Sequence, residues 1–301
     1  MKDDVEMETK EFQKISWDKS VWFFDIDDTL IDTAGTTLTA SEAVRETLEP
    51  KYGSDQAKQI QVNFNKVFDL MLSGHQATSK HDAEAYDNLV SRIEALQVRV
   101  KDKYGSFKKW SREVFIKIAA DDAGVVLTPD IVHEAANAYW QKLTENTEVF
   151  PGVKDLMEQI VNHHRPIYLI TSSDARLKMD ESGQFDYDPE YSETLKRHRI
   201  ELLKKKGITF NAISVGDPED KPHLDFFQKG INLANNDLNQ PIDYPNAIMV
   251  GDSFSGDLQV PKEHFGFGLV VLFNKNEKVS QITNGNQLNT GDLLQIKNYI
   301  S

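Results

Sequence analysis

The chain has 301 residues, of which 39% are hydrophobic and 27% are charged, and its formal net charge is −14. This composition is typical of a globular chain with a substantial core. The excess of negative charge disfavours binding to nucleic acid, whose phosphates it repels. Because the chain contains no cysteine, disulfides, thiolate nucleophiles and cysteine-ligated zinc are excluded.

Residues 1–10 are acidic and lack the apolar stretch of a secretory signal. Elsewhere in the sequence, no apolar run approaches the length that is needed to span a bilayer. These features predict a cytoplasmic protein that does not associate with membranes.

The first predicted strand is the apolar run 21–24, which leads directly into Asp25 and Asp27. A run that is continuously hydrophobic, rather than alternating, is typical of a buried parallel strand. Side chains two residues apart in an extended segment point the same way, so both carboxylates would face one pocket. Crowded carboxylates need a cation, hydrogen bonds or a shared proton. The alternative for an isolated pair of this kind is a solvated acidic turn.

Residues 33–149 have helical periodicity and no strand-like run. Basic residues there are candidates for substrate contacts, although such residues are more often solvated: Arg45, Lys108, Lys109 and Arg112. Apolar residues recur at helical spacing in four stripes, which extend from Ile60 to Met71, from Tyr86 to Val100, from Trp110 to Ile118 and from Ile131 to Leu143. We therefore predict an all-helical domain over residues 33–149.

Two later apolar runs, 167–170 and 247–250, also end in polar residues. The first leads into Thr171, and the second into Gly251 and Asp252, with Asp257 five residues further on. In an open α/β sheet, ligands bind at the carboxyl ends of the strands. We therefore expect Asp25, Thr171 and Asp252 to meet at one edge of a sheet.

The remaining pattern alternates strands with helices, which predicts a parallel sheet with right-handed crossovers. Residues 174–189 and 275–291 are polar and are predicted to be loops, the second followed by a short final helix. Further helices are expected near 152–163, 190–206, 222–234 and 254–265, and further strands near 211–215 and 269–273. Residues 1–32 and 150–301 would form this α/β domain.

In chain order, these segments resemble the four motifs of the haloacid dehalogenase-like (HAD) hydrolase superfamily. Residues 25–29 resemble the first motif, Thr171 the second, Lys221 the third, and residues 251–257 the fourth. The resemblance implies a doubly wound parallel sheet with a HAD-like Rossmannoid core, in which the strand 21–24 is central. It also implies that residues 33–149 are a helical cap of the C1 type.

The resemblance implies a role for each motif residue. Asp25 would be the nucleophile that forms an aspartyl-phosphate, and Asp27 would exchange protons with the leaving oxygen and the attacking water. Thr171 and Lys221 would bind the phosphoryl oxygens. If Lys221 were instead a surface residue, Arg176 or Lys178 could replace it.

The resemblance also implies a Mg²⁺ ion, a cation that accepts one or two carboxylates together with phosphate oxygens and water. Its ligands would be Asp25, the backbone carbonyl of Asp27, and Asp252. Asp257 would hold metal-bound water or orient Lys221.

We therefore predict a Mg²⁺-dependent phosphomonoesterase that acts on a small phosphorylated metabolite. The acid at Asp27 disfavours dehalogenation, because dehalogenases of this superfamily lack an acid there. Two alternatives remain: a phosphosugar mutase of the same fold, and a non-catalytic binding protein on a HAD frame. Fold alone does not separate them.

Overall fold

The computed structural model describes residues 13–75 and 82–301, and all statements below refer to these residues. Residues 1–10, on which the expectation of no secretory signal depends, lie outside them. Within the described ranges, no helix is long and apolar enough to cross a membrane. The described chain divides into two compact units. We call them the sheet unit, formed by residues 13–32, Val149–Ser172 and Lys204–Ser301, and the helical unit, formed by Thr33–Glu148 and Ser173–Leu203.

The strands are β1 (Val21–Phe24), β2 (Ile167–Ser172), β3 (Leu177–Met179), β4 (Phe185–Tyr187), β5 (Ala212–Gly216), β6 (Ala247–Gly251), β7 (Leu269–Phe273), β8 (Gln281–Thr283) and β9 (Gln287–Thr290). The α-helices are α1 (Thr33–Tyr52), α2 (Ser54–His75), α3 (Ala83–Ala95), α4 (Val98–Tyr104), α5 (Arg112–Asp122), α6 (Pro129–Asn146), α7 (Val153–Asn162), α8 (Pro189–Lys204) and α9 (Leu224–Leu238). Short 3₁₀-helices cover Trp17–Lys19, Tyr244–Asn246 and Leu293–Tyr299.

In the described part of the sheet unit, seven strands form one sheet in the order β5-β2-β1-β6-β7-β9-β8. All neighbouring strands are parallel except β8 and β9. The strand predicted to be central, β1, lies inside the sheet between β2 and β6, although the middle strand of the seven is β6. Trp22, Phe23 and Phe24 of β1 are completely buried. Its continuous hydrophobicity is explained by burial on both faces of the sheet.

Two predictions for the sheet unit need correction. The sequence predicts a surface loop over residues 275–291, but these residues contain the hairpin β8–β9, which extends the sheet. Asn284 and Gly285 at its tip have φ angles of 49° and 84°, the left-handed backbone that an Asn-Gly hairpin turn requires. The helix expected at 254–265 consists of two π-helical segments, Phe254–Leu258 and Val260–Phe265.

The helical unit has a core of its own. The four predicted stripes are helical: they lie on α2, on α3 and α4, on α5 with Trp110 just before it, and on α6. The ring centroid of Phe64 lies 6.3 Å from that of Phe115 and 5.4 Å from that of Tyr139. All three residues are fully buried, so the aromatic residues of these stripes form the packing core.

The helical unit also contains residues 173–203, which the sequence prediction placed in the α/β domain. This segment forms the antiparallel hairpin β3–β4 and helix α8, so the unit is not all-helical, and residues 174–189 are not only loop. Leu177 and Phe185 of the hairpin are completely buried in the same apolar core as Phe115. Strands of three residues are too short to show the alternation by which a strand is predicted.

Phe64→Ala should lower the free energy of unfolding by about 3–5 kcal/mol, because it leaves a cavity between two aromatic neighbours. Val126→Ala is the matched control, since Val126 is 85% exposed and its truncation should have little effect. Urea unfolding followed by circular dichroism measures both. Equal stability of the two variants would contradict the assignment of Phe64 to the core.

Candidate active site

Two neighbouring strands carry carboxylates to the same edge of the sheet. β1 pairs with β6 in parallel, with Phe24 opposite Val250. The pairing continues for one more hydrogen bond, which the N–H of Asp25 donates to the carbonyl of Val250 over 2.9 Å. Asp252 follows the end of β6, so the register brings Asp25 and Asp252 to the predicted carboxyl edge.

Lys221 reaches this edge from the connection between β5 and α9. Its Nζ donates to Oδ1 of Asp25 and, over 2.7 Å, to Oδ1 of Asp257. The side chains of all three residues are at most 8% exposed. Lys221 is therefore not a surface lysine.

The two basic residues considered as replacements for Lys221 belong to the helical unit. Arg176 pairs there with Glu113 at 2.6 Å. The exposed Lys178 lies 3.9 Å from Asp188.

Asp220, to which the sequence reading gave no role, fixes the backbone that carries Lys221. Its Oδ1 accepts the N–H of Lys221 over 2.7 Å. A Cβ on Gly216 would lie 2.3 Å from this oxygen, so only glycine leaves room for it. In the sequence, this close approach is indicated only by a glycine at the end of a strand.

Asp257 is held in place by the turn that follows β6. Its Oδ2 accepts the N–H of Ser253 over 2.9 Å, and its own N–H donates to the carbonyl of Ser253 over 2.8 Å. A Cβ on Gly251 would lie 2.4 Å from Cβ of Asp257 and 2.6 Å from its Oδ2. The absence of a side chain at Gly251 therefore lets Asp257 approach the strand end.

Asp25, Asp252 and Asp257 form a group that fits a hard divalent cation. One carboxylate oxygen from each residue lies within 4.8 Å of the other two. The donors are all oxygens, which is the ligand type that Mg²⁺ and Ca²⁺ prefer. Lys221 supplies only one positive charge against three carboxylates, so a cation would reduce the remaining repulsion.

The electrostatics of the site agree with this excess of negative charge. Burial is the main cause that raises the pKa of Asp25 to about 7; Lys221 opposes it, and the charges of Asp257 and Asp27 add to it. The pKa of Asp252 is raised well above its usual range, mainly by burial and then by the neighbouring aspartates. Burial alone would lower the pKa of Lys221, but Asp25 and Asp257 raise it above its ordinary value. Lys221 therefore stays protonated.

Asp27, Asp28 and Thr171 are other motif residues that the structure describes. Asp27 is half-buried, and its charge contributes to the raised pKa of Asp25. Asp28 turns the chain just after the motif: its φ is 59° and its N–H donates to the carbonyl of Ile31 over 2.8 Å.

Thr171 is fully buried at the end of β2. Within the described residues its hydroxyl donates to the carbonyl of Ser172 over 3.3 Å, and it has no hydrogen bond to the carboxylates.

The sequence profile of haloacid dehalogenase-like hydrolases matches residues 20–264. The chain belongs to this hydrolase family. The match includes every residue of the group described above. Comparison with curated proteins by sequence gave no match.

Solved structures of HAD proteins have a similar fold. A protein from Thermotoga maritima assigned as beta-phosphoglucomutase has a TM-score of 0.52 at 14% identity, with 93% of this chain and 97% of that chain covered. The 2-haloacid dehalogenase from Pseudomonas syringae pv. Tomato DC3000 has a TM-score of 0.50 at 18% identity, with coverage of 93% and 97%. A HAD phosphatase from Thermococcus onnurineus has a TM-score of 0.49 at 19% identity, with coverage of 93% and 96%. At these identities the likeness extends to the fold alone.

In this HAD hydrolase, Gly251→Ala should displace Asp257 and weaken divalent-cation binding by about tenfold or more, comparable to the loss of a supporting group in a metal site. Ser255→Ala is the control, because Ser255 lies in the same segment but is exposed. Titration with Mn²⁺, followed by electron paramagnetic resonance, measures the affinity. Unchanged affinity in Gly251→Ala would show that Asp257 does not support the cation.

Proposed function

We propose that this HAD hydrolase is a Mg²⁺-dependent phosphomonoesterase that acts on a small phosphorylated metabolite through an aspartyl-phosphate. The observation that supports this most directly is the buried group in which Lys221 bonds both Asp25 and Asp257. Phosphoryl transfer depends mainly on positioning and on neutralising charge. The buried carboxylate of Asp25 is positioned by the fixed ammonium of Lys221. The ammonium and a bound cation would neutralise charge.

Asp25 is the proposed nucleophile. One of its carboxylate oxygens attacks phosphorus, the bond from phosphorus to the ester oxygen breaks, and Asp27 donates a proton to that leaving oxygen. Water then attacks the phosphorus of the aspartyl-phosphate while Asp27 removes a proton from it. The bond between phosphorus and Asp25 breaks, which releases inorganic phosphate and restores both aspartates.

Lys221 and Thr171 are the proposed ligands of the phosphoryl oxygens. Lys221 is already fixed by two carboxylates and carries its charge beside the nucleophile, so little reorganisation is needed when the phosphate arrives. Thr171 would contribute its hydroxyl from the end of the adjacent strand β2.

Mg²⁺ is the proposed cofactor, held by Asp25, Asp252 and the backbone carbonyl of Asp27, with Asp257 supporting metal-bound water or orienting Lys221. When bound, it would supply positive charge that offsets the repulsion between these carboxylates and a phosphate. The oxygen-only donor set described above supports this choice of cation.

Asp27 distinguishes this proposal from haloacid dehalogenation. A halide leaves as a stable anion and needs no proton, whereas an alkoxide leaving group does. A carboxylate two residues after the nucleophile therefore has a role in ester hydrolysis and none in halide displacement. A phosphosugar mutase would use the same residues, and the fold likeness to the Thermotoga protein does not separate the two.

Asp25→Asn should abolish hydrolysis of p-nitrophenyl phosphate, because the amide keeps the shape of the side chain but cannot attack as an anion. Asp27→Asn should slow turnover by roughly 10²–10⁴-fold, the usual contribution of a general acid–base group. The exposed Asp243 provides the control variant Asp243→Asn, which should retain wild-type turnover.

Turnover by Asp25→Asn within about threefold of wild type would exclude an aspartyl-phosphate. Release of chloride from 2-chloropropionate, with no phosphate release from esters, would favour a dehalogenase instead.

EDTA should remove the activity and Mg²⁺ should restore it, while Ca²⁺ should inhibit because it prefers more ligands at longer distances. Asp252→Ala should raise the Mg²⁺ concentration needed for half-maximal rate by at least about tenfold. Phosphate release measured across a Mg²⁺ series, in chelated protein, gives both results. Full activity in EDTA would exclude a metal-dependent phosphatase.

A further inference from the structure

The helical unit contains three arginines around the ring of Trp140. The guanidinium carbons of Arg112, Arg176 and Arg199 lie 5.3, 5.9 and 5.3 Å from the ring centroid. The arginines are 4–5% exposed and Trp140 is 8% exposed. We call these four residues the Trp140 cluster. It concentrates positive charge in a place from which water is largely excluded.

Two of the three arginines have carboxylate partners. Arg176 donates from Nε to Glu113 over 2.6 Å. Arg199 donates from Nε and Nη2 to the two oxygens of Asp174 over 2.9 and 2.8 Å. Both guanidinium groups therefore take part in buried ion pairs, although Asp174 also accepts from Nζ of Lys196 over 2.9 Å and so serves two cations.

Arg112 differs from the other two. Its Nε donates to the hydroxyl of Tyr139 over 3.1 Å and its Nη1 to the carbonyl of Trp110 over 2.7 Å, and both acceptors are uncharged. Among the described residues it forms no ion pair. Contacts with aromatic rings, such as that of Phe68 at 5.0 Å, offset part of its burial cost through cation–π attraction. A buried guanidinium without a counter-ion is otherwise destabilising.

Trp140 provides an independent observation. Its indole nitrogen Nε1 is completely buried and has no hydrogen-bond partner among the described residues. A buried N–H group that lacks an acceptor is costly, so native structures usually supply one. Arg112 therefore lacks a negatively charged partner, and the indole N–H of Trp140 lacks a hydrogen-bond acceptor. An anion has both properties.

The backbone adds to this preference for an anion. Arg112 is the first residue of α5, which follows the N-cap Ser111. The amino-terminal end of a helix carries partial positive charge. Tyr139, which accepts from Arg112, also shares a hydrogen bond of 3.1 Å with Thr37, so the hydroxyl that orients the guanidinium is itself fixed.

We propose that Arg112 and the indole N–H of Trp140 form part of a binding site for a compact oxyanion, of the carboxylate or phosphate type, within the helical unit. The oxyanion would supply the counter-ion that Arg112 lacks and the acceptor that Trp140 lacks. This inference does not rest on the proposed phosphatase activity.

The test uses the full-length chain with the background substitution Lys221→Met, which removes the lysine proposed to bind phosphate in the sheet unit. Inorganic phosphate and malonate are the two probes, and isothermal titration calorimetry measures their dissociation constants. Saturable binding of at least one probe is expected, and the tighter probe identifies phosphate or carboxylate as the preferred class. Arg112→Gln in this background should weaken binding by about tenfold or more, as expected when a charged hydrogen-bond partner is lost.

Trp140→Phe provides a second variant, which keeps an aromatic ring beside the arginines and removes the N–H donor together with part of the indole. It should weaken binding several-fold, as for a neutral hydrogen bond, and it keeps the proposal testable if Arg112→Gln fails to fold. Arg92→Gln is the matched control, because Arg92 is 47% exposed and pairs with Asp122; its affinity should be unchanged. Failure of both probes to bind both the unsubstituted chain and a Lys221→Met protein whose circular dichroism matches it would overturn the proposal. Equal affinity of the folded cluster variants and the Arg92 control would also overturn it.

Discussion

The site depends on one electrostatic constraint: among the described residues, three carboxylates and one ammonium meet at a strand edge where Asp25, Asp257 and Lys221 are buried. Lys221 bonds Asp25 and Asp257 at once, and Asp252 completes the group. Without the lysine, the desolvated carboxylates would repel one another with no protein cation to compensate. With it, the group still carries excess negative charge, which explains why its carboxyl pKa values are raised and why the donor set suits a cation. The same imbalance that makes the group costly to fold therefore makes it suitable for binding a divalent cation.

The order of the strands in the sheet brings these carboxylates and Lys221 together. Strand β1 lies between β2 and β6. The next strands of the sheet in chain order, β2 and β5, are added on one side of β1, and β6 and β7 are added on the other side. Such a reversal opens a crevice at the carboxyl ends of the strands. Asp25 follows the interior strand β1, Asp252 follows its neighbour β6, and Lys221 lies in the connection after the edge strand β5. Gly216 and Gly251 complete the arrangement, because side chains at either position would displace the aspartates beside them.

Much of this organisation could be predicted from the sequence. Strands buried on both faces are continuous apolar runs, and the residues that follow them must lie at the carboxyl edge, which was enough to predict the positions of Asp25 and Asp252. The hairpins β3–β4 and β8–β9 were not predicted, because strands of three or four residues show too little periodicity. The roles of Asp220 and Gly216 depend on one close approach between residues four apart, which no pattern reveals. Arg112 was one of four basic candidates, and only its burial and its uncharged partners distinguish it from the exposed Lys109.

The assignment of residues 173–203 to the helical unit has a consequence for dissecting the protein. The chain passes from one unit to the other four times, after Asp32, Glu148, Ser172 and Leu203. Neither unit is a continuous piece of polypeptide, so no single truncation isolates one of them. Excising residues 33–148 alone would leave Leu177 and Phe185, which are normally buried in the helical core, exposed to water and prone to aggregation. A minimal sheet unit therefore requires two excisions and two new linkers, one joining Asp32 to Val149 and the other joining Ser172 to Lys204.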